Sequence, residues 1–263
     1  MNCPETNNPP TQYASDRNLR ARLRLWEAQE PRFDLYGWVL GLADIGAGDA
    51  VIDIGCGNGA YLPQVTALGG LPVGVDLSAG MLRAVTHRPV VAASAEHLPF
   101  RGATFDIALA PHMLYHVDDR PRAIDELRRV LRPDGVLVAV TNGAQHMAAL
   151  RDLVETAARR ADRDWVMSRM STEAFSLENG SDQLAAAFDE IRLVLPPNPV
   201  TVRIVDPEVV ADYVASVADF YESGISQPWT EIVTEVRDRV AAIVAERGFF
   251  EVTGVTGAFV CRS

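Results

Sequence analysis

Three glycines at alternate positions follow a short apolar run in the segment Val51-Ile52-Asp53-Ile54-Gly55-Cys56-Gly57-Asn58-Gly59. Residues without a side chain let a backbone approach a ligand closely, and the N–H groups at the start of a following helix can point at that ligand. A second apolar run ends in Asp76, 17 residues after Gly59. A carboxylate at this position can accept hydrogen bonds from both hydroxyls of a ribose. The two features together predict a site for an adenosine-containing ligand.

The spacing of the glycines bears on which adenosine-containing ligand binds. The dinucleotide fingerprint is G-x-G-x-x-G, whereas the third glycine here, Gly59, arrives one residue early. This spacing argues against a nicotinamide or flavin oxidoreductase, although it does not exclude that class of function.

Composition excludes several other chemistries. All 24 basic residues of the 263-residue chain are arginines, so a P-loop lysine, a Schiff-base lysine and a lysine general base are impossible. The formal net charge of −11 disfavours nucleic acid and anionic membrane surfaces as partners.

The cysteines and the hydropathy of the chain indicate the cellular compartment in which the protein works. Cys3, Cys56 and Cys261 lie far apart without paired spacing, which predicts neither disulfides nor a metal site. No apolar run approaches the ~20 residues of a membrane span, and the polar start of the chain lacks the features of a signal peptide. We therefore expect a soluble, cytoplasmic protein.

Short apolar runs alternate with helical patterns from residue 50 onward, which is typical of a parallel sheet with helices on both faces. The predicted strands are Ala50 to Ile54, Pro72 to Asp76, Val90 to Ala93, Phe105 to Ala110, Val136 to Thr141 and Glu190 to Leu195. A helix from Asp119 to Leu131 is expected to end in a turn at Arg132-Pro133-Asp134-Gly135. A closing hairpin is expected from Phe249 to Cys261, with turns at Gly254 and Gly257.

These motifs resemble the class I S-adenosylmethionine-dependent methyltransferases, in particular their small-molecule branch. The resemblance covers about residues 50 to 142. The glycine loop with Asp53 is similar to the first motif of the family, and Asp76 to its ribose-binding acid. The segment Ala93-Ser94-Ala95-Glu96-His97-Leu98-Pro99-Phe100 is similar to the third motif, although Ser94 stands where the family usually has an Asp beside the adenine amino group. A hydroxyl can accept the same hydrogen bond, more weakly than a carboxylate.

The resemblance implies a fold, an organisation and a cofactor site. The fold is α/β, a doubly wound, mostly parallel seven-stranded sheet with N-terminal helices and a helical cap inserted before the last strand. We expect a disordered tail at 1–12, a helical lid at 13–48, a cofactor-binding core at 49–195 and 249–263, and a substrate cap at 196–248. The expected contacts to S-adenosylmethionine, or to its product S-adenosylhomocysteine, are Tyr13, Arg20, Asp53, Gly55, Gly57, Gly59, Asp76, Leu77, Met81, Ser94, Ala95, Glu96 and Ala110.

Candidate catalytic residues follow the fourth strand. His116 is the first candidate for a general base, because an imidazole titrates near neutrality and the segment borders the transferred methyl group in the family. His112 and Tyr115 are second choices, and all three could instead be structural. Asn142 and His146 follow the fifth strand at the edge where α/β sheets bind ligands, but this polar run could simply start a helix.

The sequence therefore predicts a methyltransferase of a small molecule, with an N or O nucleophile preferred to carbon, in specialised metabolism of a bacterium. A non-catalytic scaffold that binds S-adenosylmethionine is the alternative from another class. The acidic excess of residues 196–248 favours a neutral or amine-bearing acceptor. Nothing in the sequence indicates the identity of that acceptor or the oligomeric state.

Overall fold

The structure is a computed structural model that describes residues 17–29, 31–161, 174–218 and 228–262. The helices are α1 Arg17–Trp26, α2 Leu35–Ala43, α3 Leu62–Ala67, α4 Ala79–Ala84, α5 Arg120–Val130, α6 Ala148–Ala161, α7 Gly180–Leu184, α8 Pro207–Ser216 and α9 Trp229–Arg247. The strands are β1 Ala50–Ile54, β2 Leu71–Asp76, β3 Val90–Ala92, β4 Phe105–Pro111, β5 Leu131–Asn142, β6 Glu190–Val194, β7 Val200–Ile204, β8 Phe250–Gly254 and β9 Thr256–Arg262.

Seven strands form one sheet in the order β3-β2-β1-β4-β5-β9-β6. The pairs from β3 to β5 are parallel, and β9 runs antiparallel to both of its neighbours. The predicted fold class is confirmed. The strand order reverses between β1 and β4, and a crevice outside the carboxyl ends of the strands at such a switch point is where α/β sheets bind ligands.

Alternating side chains of the central strands fill two cores. On β4, Ala108 and Ala110 face the core that includes Leu127 of α5. Ile107 and Leu109 of the same strand face the opposite core, which includes Leu40 of α2. Burial on both faces fixes the register of these strands, because a slip by one residue would exchange the two sets of side chains.

The junction of α5 and β5 differs from the prediction. α5 begins as expected, with the Asp119 side chain accepting the Arg122 N–H at 3.2 Å and with proline in the first turn. The expected turn at 132–135 is instead part of β5, which starts directly after the helix. Leu131 pairs with Phe105, and a register shift on β4 between Phe105 and Ile107 accommodates the irregular backbone.

The predicted closing hairpin is wrong. β8 pairs antiparallel with β7 in a separate two-stranded sheet, whereas β9 pairs with β5 and β6. A single residue, Val255, separates β8 from β9, which is too short for a hairpin loop. The buried side chains also diverge, because Val252 joins a core with α6, α8 and α9 while Phe259 joins the core of the large sheet.

The second core positions the elements that cover the ligand edge of the sheet. It combines Leu25 of α1 with buried residues of α6, α8, α9, β7 and β8. The division of the chain into lid, core and cap stays a prediction, and residues 1–12 lie outside the described residues. Among the helices of the described ranges, none has the length and apolarity needed to cross a bilayer.

Candidate active site

A cavity of about 1030 Å³ opens at the carboxyl ends of the parallel strands. Its volume is at the upper end of the ~300–1,000 Å³ typical of small-molecule sites, which leaves room for two ligands side by side. One half, called the cofactor half here, is lined by Ile54, Gly55, Gly57, Asp76, Leu77, Ser78, Met81 and residues 93–96. The other, called the acceptor half, is lined by residues that include Arg22, Trp26, Phe33, His112, Tyr115, His116, Asn142, His146, Val200, Tyr213 and Val217.

The glycine loop brings backbone to the floor of the cofactor half. Gly55 has φ of 69°, and a Cβ on it would lie 2.6 Å from Cβ of Met113. Gly57 has φ of 56°, and its Cβ would lie 3.6 Å from the side chain of Leu19 on α1. Both positions therefore favour glycine, and α1 lies over the loop. Gly59 does not line the cavity; a Cβ there would meet Val85 at 2.6 Å, so this glycine allows α4 to pack closely.

Asp76 ends β2 and is held in place by two backbone donors. Its Oδ2 accepts the Gly57 N–H and its Oδ1 accepts the Ser78 N–H, both at 2.8 Å. Burial raises the pKa of Asp76, and these two hydrogen bonds oppose that rise. Each carboxylate oxygen keeps further lone-pair capacity toward the cavity, as recognition of a diol requires.

Residues 94–96 continue the wall of the cofactor half. The Ser94 hydroxyl accepts the Glu96 N–H at 3.1 Å, which shapes the turn. The Glu96 carboxylate accepts the Asp119 N–H at 3.0 Å, so this side chain braces the start of α5 while its residue lines the cavity. Leu77 and Met81, expected at the cofactor, line the same half.

Asp53 lies fully buried beside the cofactor half. Among the described residues, neither of its carboxylate oxygens has a hydrogen-bond partner. Burial, and secondarily the charge of Asp76, raises the pKa of Asp53 to about 7. The Asp53 charge also contributes to the raised pKa values of Tyr36 and Tyr61, for which burial is the larger cause. An unpartnered buried carboxylate is costly, and a cationic or hydrogen-donating ligand would offset that cost.

These residues fit S-adenosylmethionine. The Asp76 carboxylate suits the ribose diol, the orphaned Asp53 carboxylate suits the region of the methionine ammonium, and Ser94 to Glu96 would flank the adenine. Besides Gly59, three expected contacts do not line the cavity. Asp53 is fully buried in β1 next to Ile54, which does line it, Arg20 is exposed on α1, and Ala110 is buried in β4 next to Pro111, which lines it. Tyr13 lies outside the described residues.

The segment after β4 places three candidate catalytic residues in the acceptor half. His112 has φ of 54°, and its N–H donates to the Val140 carbonyl at 2.9 Å. The rings of Tyr115 and His116 are 4.5 Å apart, and those of His112 and Tyr115 are 6.5 Å apart. The two histidines and the tyrosine predicted from sequence therefore form one cluster on the cavity wall.

The environment makes both histidines weaker bases than the sequence alone suggested. Burial lowers the pKa of His112 to about 4. Burial also lowers the pKa of His116, with further contributions from Arg22 and His112. A large part of the His116 surface faces water, which tempers this lowering. Both imidazoles are neutral near pH 7 and are able to accept a proton.

Asn142 and His146 gain importance from the structure. Asn142 is 8% exposed and its Oδ1 lacks a hydrogen-bond partner within the described ranges, although the residue lines the cavity. The His146 imidazole lies 5.5 Å from the Trp26 ring, and its Nδ1 lies 3.1 Å from the Val255 nitrogen. The sequence signal for both was their position at or just beyond the carboxyl end of the fifth strand.

Arg22 and Ser78 were missed by the sequence reasoning. The Arg22 guanidinium donates to the Ser216 carbonyl at 2.7 Å and thereby ties α1 to the end of α8 beside the cavity. No feature of the sequence distinguishes it from the neighbouring arginines of α1. Ser78 accepts the Met81 N–H at 3.2 Å as the cap of α4, and a serine directly before a helix could have indicated this role.

Part of the site lies in a segment that is similar to known proteins. Residues 52–139 match the family described as "Methyltransferase domain". Demethylmenaquinone methyltransferase of Mycobacterium sp. (strain KMS) is 33% identical over 138 residues, which are 47% of this chain and 60% of that protein. The human mitochondrial arginine-hydroxylase NDUFAF5 is 29% identical over 161 residues, which are 55% of this chain and 46% of that protein. The chain thus spans about half the length of these curated relatives.

A solved structure with the same fold comes from Anabaena variabilis and is described as a candidate methyltransferase of an antibiotic biosynthesis pathway. The alignment covers 87% of this chain and 96% of that one with a TM-score of 0.64 and 15% identity. This likeness concerns the fold. Residues 52–139 thus match the methyltransferase domain family, and the fold of the chain is that of the class I S-adenosylmethionine-dependent methyltransferases.

Proposed function

We propose that this protein is an S-adenosylmethionine-dependent methyltransferase that transfers a methyl group to a nitrogen or oxygen nucleophile of a small molecule. The observation that carries the proposal is the arrangement of two carboxylates at the glycine loop. Asp76 is oriented by Gly57 and Ser78, and the neighbouring Asp53 is buried with no partner for its charge among the described residues. This pairing suits a ligand that carries both a ribose diol and an ammonium group.

When bound, S-adenosylmethionine supplies a methyl group already activated on a sulfonium. The protein then contributes mainly position and the exclusion of water. Asp76 fixes the ribose, and the Gly55 backbone permits close approach at the carboxyl end of β1. Leu19 of α1 covers the loop at Gly57 and limits access of solvent.

The acceptor half supplies groups that can take up the proton released by an N–H or O–H nucleophile. His116 is partly open to water and can pass a proton onward, whereas His112 lies deeper. Burial lowers the pKa of both imidazoles to about 4. Because S-adenosylmethionine carries its own leaving group, a weak base suffices, and loss of either imidazole should reduce the rate without abolishing it.

The lid and cap predicted from the sequence enclose the acceptor in this proposal. Leu23 and Trp26 come from the proposed lid, and Val200, Tyr213 and Val217 come from the proposed cap. Transfer to carbon is the alternative within the same activity. We expect a bacterial enzyme of specialised metabolism that works in the cytoplasm. The description of the Anabaena protein, as a candidate methyltransferase of an antibiotic biosynthesis pathway, supports only the expectation of specialised metabolism.

Two measurements test the proposal. Calorimetry should show that S-adenosylhomocysteine binds the purified protein, while NADH and FAD do not. Incubation of small-molecule extracts of the source cell with methyl-labelled S-adenosylmethionine should then yield a labelled product, and its structure identifies the methylated atom. Absence of S-adenosylhomocysteine binding rejects the proposal, whereas tight binding without any labelled product favours the scaffold alternative.

A further inference from the structure

The acceptor half contains a polar pair that the proposed function does not use. Asn142 at the end of β5 lies opposite Thr256 in the ladder between β5 and β9. Val255, the residue before Thr256, contacts the Nδ1 of His146. Asn142 and His146 are therefore neighbours on one wall, and both line the cavity.

The hydrogen bonds around Asn142 leave one acceptor unused. Its backbone carbonyl accepts the Leu177 N–H at 3.1 Å, and the adjacent Thr141 carbonyl accepts the Thr256 hydroxyl at 3.1 Å. Its Oδ1, buried in this amide orientation, has no partner in the described part of the chain. A buried acceptor of this kind costs free energy until a ligand donates to it.

The bonding of Val255 fixes the tautomer of His146. The Nδ1 of His146 is 3.1 Å from both the nitrogen and the oxygen of Val255. The Val255 carbonyl already accepts the Gly143 N–H at 3.0 Å, whereas the described residues offer the Val255 N–H no acceptor except this Nδ1. Nδ1 therefore accepts, and the ring proton resides on Nε2.

The charge state and surroundings of this pair limit the ligand further. Burial, and secondarily His112, lowers the pKa of His146 to about 3, so the ring is neutral at physiological pH. The Trp26 ring lies 5.5 Å from His146 and offers an aromatic face. The charged residues at the mouth of this half are exposed: Glu27, Arg32, Asp34 and Asp118. Arg22, which also lines this half, is partly buried, and its guanidinium already donates to the Ser216 carbonyl at 2.7 Å. The described lining of this half therefore offers no buried carboxylate to an ammonium, and its partly buried cation is already engaged.

We propose that the methyl acceptor is an uncharged, planar molecule with an adjacent hydrogen-bond donor and acceptor on one edge. Its N–H or O–H donates to Asn142 Oδ1, and its carbonyl accepts from His146 Nε2–H. A cyclic amide or an ortho-hydroxy carbonyl compound has this edge. The inference rests on the proposed function and narrows the expected acceptor from neutral or amine-bearing to neutral.

A matched pair of probes tests this inference. 2-Quinolone carries the N–H and carbonyl edge, and N-methyl-2-quinolone lacks only the donor. Dissociation constants are measured by ligand-observed NMR with and without saturating S-adenosylhomocysteine. We expect N-methylation to weaken binding about ten-fold or more, because it leaves Asn142 Oδ1 buried and unpaired.

Variants test whether the difference in affinity between the two probes arises at Asn142 and His146. Asn142→Leu keeps the volume and should abolish the discrimination between the two probes, and His146→Phe should weaken 2-quinolone binding about ten-fold. The control is Gln145→Leu, at an exposed neighbouring position, which should retain full discrimination. A wild-type protein that does not bind S-adenosylhomocysteine rejects the proposed function. Equal binding of the two probes, or binding of neither, overturns this inference even if S-adenosylhomocysteine binds.

Discussion

The Asp76 carboxylate holds the Gly57 backbone, with its Oδ2 accepting the Gly57 N–H at 2.8 Å. The bond joins the end of β2 to the loop after β1. The carboxylate that would bind the ribose therefore also sets the shape of the loop beneath the rest of the ligand. In the proposed function, recognition of the cofactor and the geometry of the loop therefore depend on one side chain.

Replacement of Asp76 should weaken cofactor binding directly. Asp76→Ala removes the acceptor for the ligand and for the loop, and should reduce the affinity for S-adenosylhomocysteine by ~1–3 kcal/mol. Calorimetry measures this change. Asp152→Ala, at an exposed position on α6, should leave the affinity unaltered. An unchanged dissociation constant in the Asp76 variant would refute its assignment.

Asp53 should make the stability of the ligand-free protein fall as pH rises. Its pKa is raised from 3.8 to about 7, so between these values the folded state holds a proton that the unfolded state has lost. Stability contributed by the neutral carboxyl is thus present below pH 4 and is lost as pH rises through 7. Asp53→Asn removes the ionisation. In thermal unfolding, the melting temperature of the variant relative to that of the wild type should therefore increase from pH 5 to pH 8. A difference in melting temperature independent of pH contradicts this prediction.

The same carboxyl should release a proton when a cation binds beside it. Near pH 6.5 a fraction of Asp53 is protonated, and a neighbouring ammonium lowers its pKa. Binding of S-adenosylhomocysteine, measured by calorimetry in buffers of different ionisation enthalpy, should therefore release a fraction of a proton. The Asp53→Asn variant should bind more weakly and lose this component of proton release. Equal proton release by both proteins would assign it to another group.

Two glycines provide a matched comparison of backbone requirements. Gly55→Ala places a Cβ 2.6 Å from Met113 at a φ of 69°, so we expect a lower melting temperature and weaker cofactor binding. Gly41→Ala in α2 meets no atom within 4 Å and should stabilise the protein by about 0.5–1 kcal/mol through helix propensity. The free energy of unfolding of each variant, measured by chemical denaturation, distinguishes these opposite outcomes. A stabilised Gly55 variant would show that the loop does not need its left-handed conformation.

Arg22 should contribute to closure of the cavity. Its guanidinium donates to the Ser216 carbonyl at 2.7 Å, so Arg22→Ala should loosen α1, cost about 1–2 kcal/mol in the free energy of unfolding and raise proteolytic sensitivity near the amino terminus. The control is Arg24→Ala, because the Arg24–Asp212 pair is half exposed on both sides and such pairs contribute little. Identical proteolysis of the two variants would show that the bond to Ser216 has no special role.

The sheet and the cofactor half were predictable because local patterns determine them. Buried parallel strands read as short apolar runs, and the glycine loop and Asp76 occur at strand ends where topology must bring them together. The path of β8 was not predictable, because an alternating run such as Phe250 to Gly254 fits any sheet that offers an apolar face. Local sequence likewise could not distinguish Arg22 from Arg20, since helix rotation relative to α8 decides which one reaches the cavity.

The two halves of the cavity derive from different stretches of the chain. The cofactor half comes from residues 54–96, whereas α1, β7, α8 and the residues flanking Val255 contribute much of the acceptor half. If the proposed function holds, the segments that contact the acceptor can thus diverge while the cofactor site stays constant. Exchange of α1 and residues 200–218 between homologues is accordingly a rational route to enzymes with new acceptors.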